Sequence, residues 1–329
     1  MIRKAALALL AIFVLTSGWV WNSVSPFSGP GKPVVVTVNA GDSMSTIIGK
    51  FEHAGAISNG FLFHAMCSTL GCPTVFPGSY EIAAHSSYSD LEHLLARGPN
   101  VDAIEVRAGM TVAEVAHGLA AYRGTAFANE FRARLRALSI PGVGSTSPEG
   151  LLGAGSYIVT PASSPAEIAQ QMHDAFAETL TSVGMTGLSA AWRSHGLNAY
   201  QVIIAASIVE KEGYYPSNMP KVARVILNRL ATHSSLQMDS TILYALGRDG
   251  GRVTTSMLRI ASPYNTYLHA GLTPTPTCVP STTALRAMLN PPAGTWRYFV
   301  VIDQQGDEAF STTYAGQLAN ERLAHSRGL

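Results

Sequence analysis

Apolar side chains fill almost every position of residues 200–209, and Glu210, Glu212 and Gly213 end the run. A helix that is apolar on all of its faces is typical of a protein core. Glu210 comes about one helical turn after Ala206, which places it at the edge of the buried surface. The pattern predicts a buried helix over residues 199–212 that carries a carboxyl group at its rim.

The rest of the C-terminal half is also dominated by helical patterns. Ser164, Pro165 and Glu167 form a strong helix start, with a serine cap, a proline in the first turn and a glutamate placed to close a capping box. The helix that they open is predicted to extend to about residue 182. Further helices are predicted at 188–195, 219–231, 282–289 and 315–325, and a β-hairpin at 298–302 and 309–312. This half is therefore predicted to be mainly helical with one hairpin.

Two segments of the N-terminal half share one sequence pattern. Residues 33–38 alternate and are rich in valine, as in a strand, and a turn leads into a predicted helix over 44–54. Residues 106–111 repeat the arrangement of Ala-Gly, one variable residue and a capping Ser or Thr, before a predicted helix at 112–122. A strand at 77–82 and a helix opened by a Ser89–Glu92 capping box are predicted between them. The repeat indicates two related small α+β units.

The first residues have the pattern of a membrane segment. Arg3 and Lys4 precede an apolar stretch that extends from residue 5 to about residue 21, close to the shortest length that spans a bilayer. The two cations orient the N-terminus towards the cytoplasm, and Trp19 and Trp21 suit an interfacial aromatic belt. We expect an uncleaved single-pass anchor rather than a removed signal peptide. The remainder would then lie outside the cytoplasm, in the periplasm of a double-membraned bacterium.

The composition of the 329 residues narrows the chemistry. Charged residues make up 13%, the net charge is +1 and no long Lys/Arg run exists, which argues against nucleic acid as a partner. Neither a CxxC nor an HExxH motif occurs, so we expect no metal and no cofactor. Cys67 and Cys72 are close enough for a disulfide loop, or they are free buried thiols, and Cys278 is left over.

Glu210 is the candidate for acid chemistry. Removal from water and the negative end of a helix dipole both favour the protonated form of a carboxyl group, as a general acid requires near neutral pH. A frayed helix end with two solvated glutamates before a Gly213 cap is the alternative.

Three polar or aromatic segments that follow the glutamates suit saccharide binding. Residues 236–241 are polar and lead into a helix, residues 262–267 contain two tyrosines and an amide, and residues 271–276 are stiffened by prolines. Aromatic rings stack on sugar faces, and amides hydrogen-bond hydroxyl and acetamido groups. Ordinary packing is the alternative for the tyrosine loop.

Taken in order, these segments resemble the MltG (YceG-like) family of membrane-anchored endolytic murein transglycosylases. The resemblance rests on residues 206–212, 222–223, 228–230, 236–237, 239, 241, 264–267, 271–272 and 298–300. It implies cleavage of the β-1,4 bond from N-acetylmuramic acid to N-acetylglucosamine within a glycan strand, leaving a 1,6-anhydromuramyl end. The family's Gly-Leu-Pro-Pro-Gly-Pro-like run is altered here after Leu272, and its Phe-Pro-Asp is missing before Tyr157, which puts groove-edge contacts in doubt.

The resemblance assigns the catalytic role to Glu210. One acid suffices, because it protonates the glycosidic oxygen and then, as a carboxylate, deprotonates the muramyl C6 hydroxyl that attacks C1, whereas ordinary glycoside hydrolases use two carboxylates. Glu212 lies about 200° further round the helix, so the two glutamates cannot enter one site together. Candidate substrate-binding or supporting residues are Ser207, Glu212, Asn228, Gln237, Asp239, Thr241, Tyr264, Asn265 and Tyr267.

The predicted fold class is α+β. The predicted organisation is a cytoplasmic tip (1–4), a transmembrane anchor (5–22), a linker (23–32), a LysM-like α+β domain (33–100), a second small α+β unit with a connector (101–160) and a catalytic domain (161–329). The small units resemble carbohydrate-binding modules of the LysM type, or they pack without a ligand.

The expected partners are peptidoglycan glycan strands, the membrane and the peptidoglycan synthases, beside which the enzyme would limit nascent strand length. Two alternatives to a transglycosylase stay open. One is a membrane-anchored peptidoglycan-binding scaffold without activity, and the other is a two-carboxylate muramidase that uses Glu210 and Asp239.

Overall fold

The computed structural model describes residues 17–18, 31–213 and 215–329. The predicted cytoplasmic tip lies outside the described residues, as do the predicted anchor and linker except for residues 17–18 and 31–32. Over the described ranges, no helix combines the length and the apolar character that crossing a bilayer requires. The described chain has the predicted mixed α+β fold, and it divides into two compact units.

Unit 1 comprises the described residues up to Ala103 together with Ile158–Ser163. Its strands β1 (Pro33–Val38) and β2 (Gly78–Ala83) pair antiparallel. Its helices are α1 (Met44–His53), α2 (Gly60–Leu70) and α3 (Tyr88–Arg97). Phe51, Tyr80, Leu91 and Leu95 are fully buried in its core. Cys67 and Cys72 form a disulfide, which decides the question that their spacing left open.

The start of α3 differs from the prediction. Its capping box is formed by Ser87 and Asp90, whose side chains accept hydrogen bonds from each other's backbone N–H at 3.2 and 3.1 Å, and not by Ser89 and Glu92. Two overlapping Ser-x-x-acid patterns satisfy the same local rule. Helix α2 was not predicted from the sequence.

Unit 2 comprises Ile104–Tyr157 and Ser164–Leu329. Strand β5 (Tyr298–Val301) pairs antiparallel with β6 (Glu308–Ser311) in the predicted hairpin. Strands β3 (Asp102–Val106) and β4 (Gly155–Val159) pair with each other, and the residues of each strand are divided between the two units. The helices, in chain order, are α4 (Val112–Arg123), α5 (Thr125–Ala137), α6 (Pro165–Ser182), α7 (Ala199–Glu212), α8 (Met219–Ala231), α9 (Asp239–Ala245), α10 (Thr282–Leu289) and α11 (Tyr314–Ser326), with a short 3₁₀ turn at Met257–Arg259.

Helix α7 lies at the centre of the unit 2 core. Of its first eleven residues, only Gln201 is not buried, as the apolar pattern predicted. Helices α8 and α10 pack against α7 and against each other. The Ser164–Glu167 capping box and Pro165 open α6 as predicted.

The predicted helix over residues 188–195 is wrong. The backbone turns at His195 and Gly196, which have φ angles of +48° and +80°. Ser194 and Leu197 on either side exchange two backbone hydrogen bonds of 2.9 and 2.8 Å. Left-handed backbone at two consecutive residues is the geometry of a tight hairpin turn, which a helix cannot contain.

Candidate active site

Glu210 lies in the last turn of α7, and its carboxyl group is held by the start of α10. Glu210 Oε2 accepts a hydrogen bond of 2.9 Å from the backbone N–H of Ser281. Ser281 caps α10, since its hydroxyl accepts a hydrogen bond from the N–H of Ala284 at 3.0 Å. The half-buried carboxyl group is therefore fixed between two helices of the core.

Residues 276–281, which we call the anchor segment, pack alongside the last part of α7. The hydroxyl of Ser207 accepts a hydrogen bond of 2.9 Å from the N–H of Thr277 and donates one of 2.7 Å to the carbonyl of Ile204. The thiol of Cys278 donates to the carbonyl of Ser207 at 3.3 Å. Ser207 thus positions the segment that carries Ser281, and it is completely buried in doing so.

The opposite side of the anchor segment contacts the loop before α4. Val279 exchanges two backbone hydrogen bonds of 2.8 Å with this loop, accepting from Gly109 and donating to Met110. Gly150 also packs on the segment, and a Cβ added there would lie 2.4 Å from Pro276 Cβ and 3.0 Å from the Cys278 carbonyl oxygen. The segment is therefore held by three parts of unit 2.

A cavity of about 870 Å³ opens beside this segment, within unit 2. Thr277 and Lys211 line it, whereas Glu210, which directly precedes Lys211 in sequence, does not. The first turns of α4 form one wall, and the end of α9 with the loop after it forms another. The polar side chains that line the cavity include Thr111, Glu114, His117, Glu149, Tyr244, Arg248, Asp249 and Tyr264. A pocket of this size with convergent polar groups is typical of a ligand site.

Glu149 is a buried acid on the wall of the cavity. Its Oε1 accepts a hydrogen bond of 2.9 Å from the N–H of Val112, and its Oε2 accepts one of 3.3 Å from the hydroxyl of Tyr244. Burial raises the pKa of Glu149 to about 7, and the nearby Glu114 carboxylate adds to the increase. This acid is therefore close to half-protonated at neutral pH.

Two tyrosines form the aromatic part of the cavity wall. The rings of Tyr244 and Tyr264 lie 4.9 Å apart between centroids and are tilted by 55°. The hydroxyl of Tyr264 lies 2.9 Å from that of Thr275, which fixes its ring. Tyr264 is the one residue among those predicted to support the site that also lines this cavity.

Glu212 and Asp239 belong to a second polar cluster. Glu212 Oε1 accepts a hydrogen bond of 2.9 Å from the N–H of Ser240, in the first turn of α9. Desolvation raises the pKa of Glu212, despite its hydrogen bonds to Ser240. Asp239 Oδ1 accepts a hydrogen bond of 2.5 Å from the hydroxyl of Tyr267, whose pKa is raised first by burial and then by this contact.

The other predicted residues bond to the protein itself. Asn228 Nδ2 donates to the carbonyls of Gly294 and Trp296 at 3.1 and 2.8 Å. Thr241 donates to the carbonyl of Met238 at 2.7 Å, and the completely buried Asn265 donates to two carbonyls of the 258–260 turn at 3.0 and 2.9 Å. Gln237 is exposed and has a φ of +52°.

Sequence reasoning missed Glu149, Lys211 and Tyr244 as parts of the cavity. Lys211 bonds Asp249 Oδ1 at 2.7 Å across the loop after α9. A signal for Glu149 was present, because an acid directly precedes a glycine in an otherwise apolar segment, Glu149-Gly150-Leu151-Leu152. Among the described residues, no three His, Cys, Asp or Glu side chains lie together in a way that could hold a metal ion.

Comparison with known proteins identifies the family. The sequence model of the YceG-like family matches residues 36–323. The chain therefore belongs to the YceG-like family, and the resemblance seen in its motifs is confirmed.

Two relatives of this chain are both described as endolytic murein transglycosylases. An endolytic murein transglycosylase of Bacillus subtilis (strain 168) is 34% identical over 121 residues, which is 37% of this chain and 33% of the relative. An endolytic murein transglycosylase of Streptococcus pneumoniae serotype 2 is 24% identical over 323 residues, covering 88% of this chain and 58% of the relative. The chain thus spans between a third and three fifths of the length of these relatives.

The fold also occurs in a solved structure. The 2.6 Å crystal structure of a yceG-like protein from Listeria monocytogenes aligns with a TM-score of 0.56 at 23% identity, covering 88% of this chain and 99% of that one. The two chains therefore share a fold.

Proposed function

We propose that the protein is an endolytic peptidoglycan lytic transglycosylase, which cleaves the β-1,4 bond from N-acetylmuramic acid to N-acetylglucosamine within glycan strands and leaves 1,6-anhydro ends. The observation that carries the proposal is the Glu210 carboxyl group, fixed by the Ser281 N–H on a segment that also lines a large cavity. Membership of the YceG-like family and the names of the relatives support it.

The hydrogen bond from Ser281 gives the two oxygens of Glu210 different roles. Because Oε2 accepts a backbone N–H, the acidic proton resides on Oε1. Glu210 donates this proton to the glycosidic oxygen as the bond from C1 to that oxygen breaks. The same carboxylate then removes the proton of the muramyl C6 hydroxyl, whose oxygen forms the new bond to C1. The proton returns to Glu210 and no water is consumed.

The surroundings of the neighbouring acids favour this one-acid chemistry. Glu212 accepts its hydrogen bond from α9, and Asp239 is bound by Tyr267. A two-carboxylate hydrolase needs a second acid free to act as nucleophile or to activate water. We therefore favour transglycosylation over a muramidase that uses Glu210 with Asp239.

The proposal extends to the setting of the enzyme. Residues 5–22 anchor the chain in the cytoplasmic membrane, residues 33–100 form a small LysM-like unit, and residues 101–160 form a second small α+β unit with a connector. Residues 161–329, together with the cavity-lining residues of 101–160, act on the glycan outside the cytoplasm. The apolar N-terminal stretch with Arg3 and Lys4 before it supports this arrangement. Near the membrane the enzyme would meet nascent strands and the synthases that make them.

The test compares purified wild-type protein with Glu210→Gln on isolated glycan strands. We expect wild type to release fragments with anhydromuramyl ends, and Glu210→Gln to be slower by about 100- to 10,000-fold, because an amide cannot exchange the proton. Mass spectrometry of the fragments is the measurement. Glu130→Gln, an exposed change on α5, is the matched control.

Each other outcome would assign a different activity or mechanism to the protein. Fragments that carry one additional water would identify a hydrolase. A wild-type protein as inert as Glu210→Gln on strands that it binds would identify a scaffold. Equal rates for wild type and Glu210→Gln would remove Glu210 from the mechanism.

A further inference from the structure

The acid mechanism leaves the buried Glu149 without a role. The residue is only 8% exposed, yet it lines the cavity. Burial of an acid costs stability, and buried titratable groups are frequent at functional sites. Its carboxyl group accepts hydrogen bonds from the backbone N–H of Val112 and the hydroxyl of Tyr244, and it also interacts with the backbone of Gly150.

A short series of contacts fixes the position of Glu149 relative to Glu210. Gly150, the next residue, has a φ of +73° and packs directly on Pro276 and Cys278 of the anchor segment. The other end of that segment donates to Glu210 through Ser281. A ligand held by Glu149 would therefore be held at a fixed position relative to the candidate acid.

The two oxygens of Glu149 are bonded unequally. The hydrogen bond from Val112 to Oε1 measures 2.9 Å, whereas that from Tyr244 to Oε2 measures 3.3 Å. The longer contact is beyond the usual range for a hydrogen bond between oxygens, so replacing it with a ligand contact costs little. Oε2 and the Tyr244 hydroxyl are therefore the pair available to a ligand.

We propose that Glu149 is a sugar-binding residue, which acts as a neutral acid and, with Tyr244, hydrogen-bonds an uncharged hydroxyl or acetamido oxygen of the glycan in the cavity. The inference rests on the proposed function for the identity of the glycan. In the neutral form Oε2 carries a proton that it donates to the sugar oxygen, while the hydroxyl of Tyr244 donates or accepts. The tilted rings of Tyr244 and Tyr264 offer an apolar surface for the sugar face.

The protonation of Glu149 makes the binding depend on pH. With a pKa of about 7, raised mainly by burial, the neutral fraction falls steeply above neutral pH. The ionised form can only accept hydrogen bonds, so it loses the donated bond to the sugar. The charged or titratable groups around the cavity are Glu114 and His117 on α4, Lys211 on α7, Tyr244 on α9, Arg248 and Asp249 after it, and Tyr264.

The experiment measures binding without turnover. Calorimetric titration of a defined, uncrosslinked murein glycan fragment into full-length Glu210→Gln protein gives Kd between pH 5.5 and 8.5. We expect Kd to increase by up to about 30-fold from pH 6 to pH 8.5, as the neutral fraction of Glu149 falls from about 0.9 to about 0.03. Adding Glu149→Gln, which keeps a donor at every pH, should make Kd independent of pH and close to its low-pH value.

Two further variants complete the design. Adding Tyr244→Phe should weaken binding about three- to tenfold at low pH and move the transition to higher pH, because the Tyr244 hydroxyl lowers the pKa of Glu149. If Glu149→Gln does not fold, the shift of the pH transition in Tyr244→Phe tests the inference instead. Adding Glu130→Gln instead, on the exposed face of α5, should leave the pH dependence unchanged.

A pH-independent Kd in the Glu210→Gln protein, or a transition that survives Glu149→Gln, would overturn the inference. Its failure is separable from that of the proposed function. Anhydro products together with pH-independent binding would contradict the role of Glu149 alone. Binding that depends on Glu149, without any product from wild type, would contradict the transglycosylase and leave the sugar site standing.

Discussion

Glu210 and Glu212 are two positions apart on one helix, and their side chains bond to different elements. Glu210 accepts from Ser281 at the start of α10, and Glu212 accepts from Ser240 in α9. Their divergence could be predicted from the helical angle between them. The identity of the donors could not, because Ser281 is 71 residues away and backbone N–H groups carry no sequence signature.

Substitution of Glu212 tests its assignment as a structural residue. Glu212→Ala removes the acceptor of the Ser240 N–H and should lower the free energy of unfolding by about 1–2 kcal/mol. Glu212→Gln keeps an acceptor oxygen and removes a charge that desolvation disfavours, so its stability should stay within about 1 kcal/mol of wild type. Denaturant unfolding measures both. A Glu212→Gln protein that is fully stable and as inactive as Glu210→Gln would make Glu212 a catalytic group.

Elements whose signals are local were predictable, and elements defined by distant contacts were not. The capping boxes of α4 and α6 and the apolar period of α7 lie within a few residues, and these helices appear as predicted. Residues 188–195 mix apolar and polar positions without a capping box, and the structure has a tight turn at His195 and Gly196 in place of the predicted helix end. The anchor segment has no secondary structure of its own, so no periodicity could reveal that it contacts α7 and the loop before α4.

Gly150 tests whether the anchor segment needs its close packing. Gly150→Ala places a methyl group 2.4 Å from Pro276 at a φ of +73°, and should cost about 2–4 kcal/mol of stability through strain and overpacking. Gly184→Ala is the matched control, since its φ is +86° but nothing lies within 4 Å. It should cost about 1 kcal/mol. Equal losses in urea unfolding would show that the contact with Pro276 is not strained.

At the scale of the whole molecule, the raised pKa of Glu149 links stability to pH. The unfolded carboxyl group has a pKa near 4.5 and the folded one about 7. Between these values the folded state binds more protons, so its stability is complete below pH 4.5 and decreases as the pH rises to about 7.

Glu149→Gln should remove this dependence. A difference between 4.5 and about 7 corresponds to roughly 3 kcal/mol, so we expect the variant to gain about 1–3 kcal/mol over wild type between pH 4.5 and pH 8.5. Thermal or urea unfolding across this range is the measurement. A constant difference between the two proteins would show that Glu149 has the same pKa in both states.

The sequence also predicted the α+β class and the family correctly. Both depend on motifs that recur at fixed spacing over much of the chain. The cavity wall formed by α4 and Glu149 was not predicted, because it brings residues 111–149 together with residues 240–264. Such pairings depend on tertiary packing, which leaves no local periodic pattern in the sequence.

Cys278 gives the candidate site a chemical reporter of its own. Its thiol is completely buried, donates to Ser207 and has a pKa raised by burial, with Glu210 and Glu149 adding to the increase. A thiol in this state reacts slowly with alkylating reagents. The rate at which Cys278 is alkylated therefore reports how frequently the anchor segment separates from α7. The opening of the site can thus be measured without any substrate.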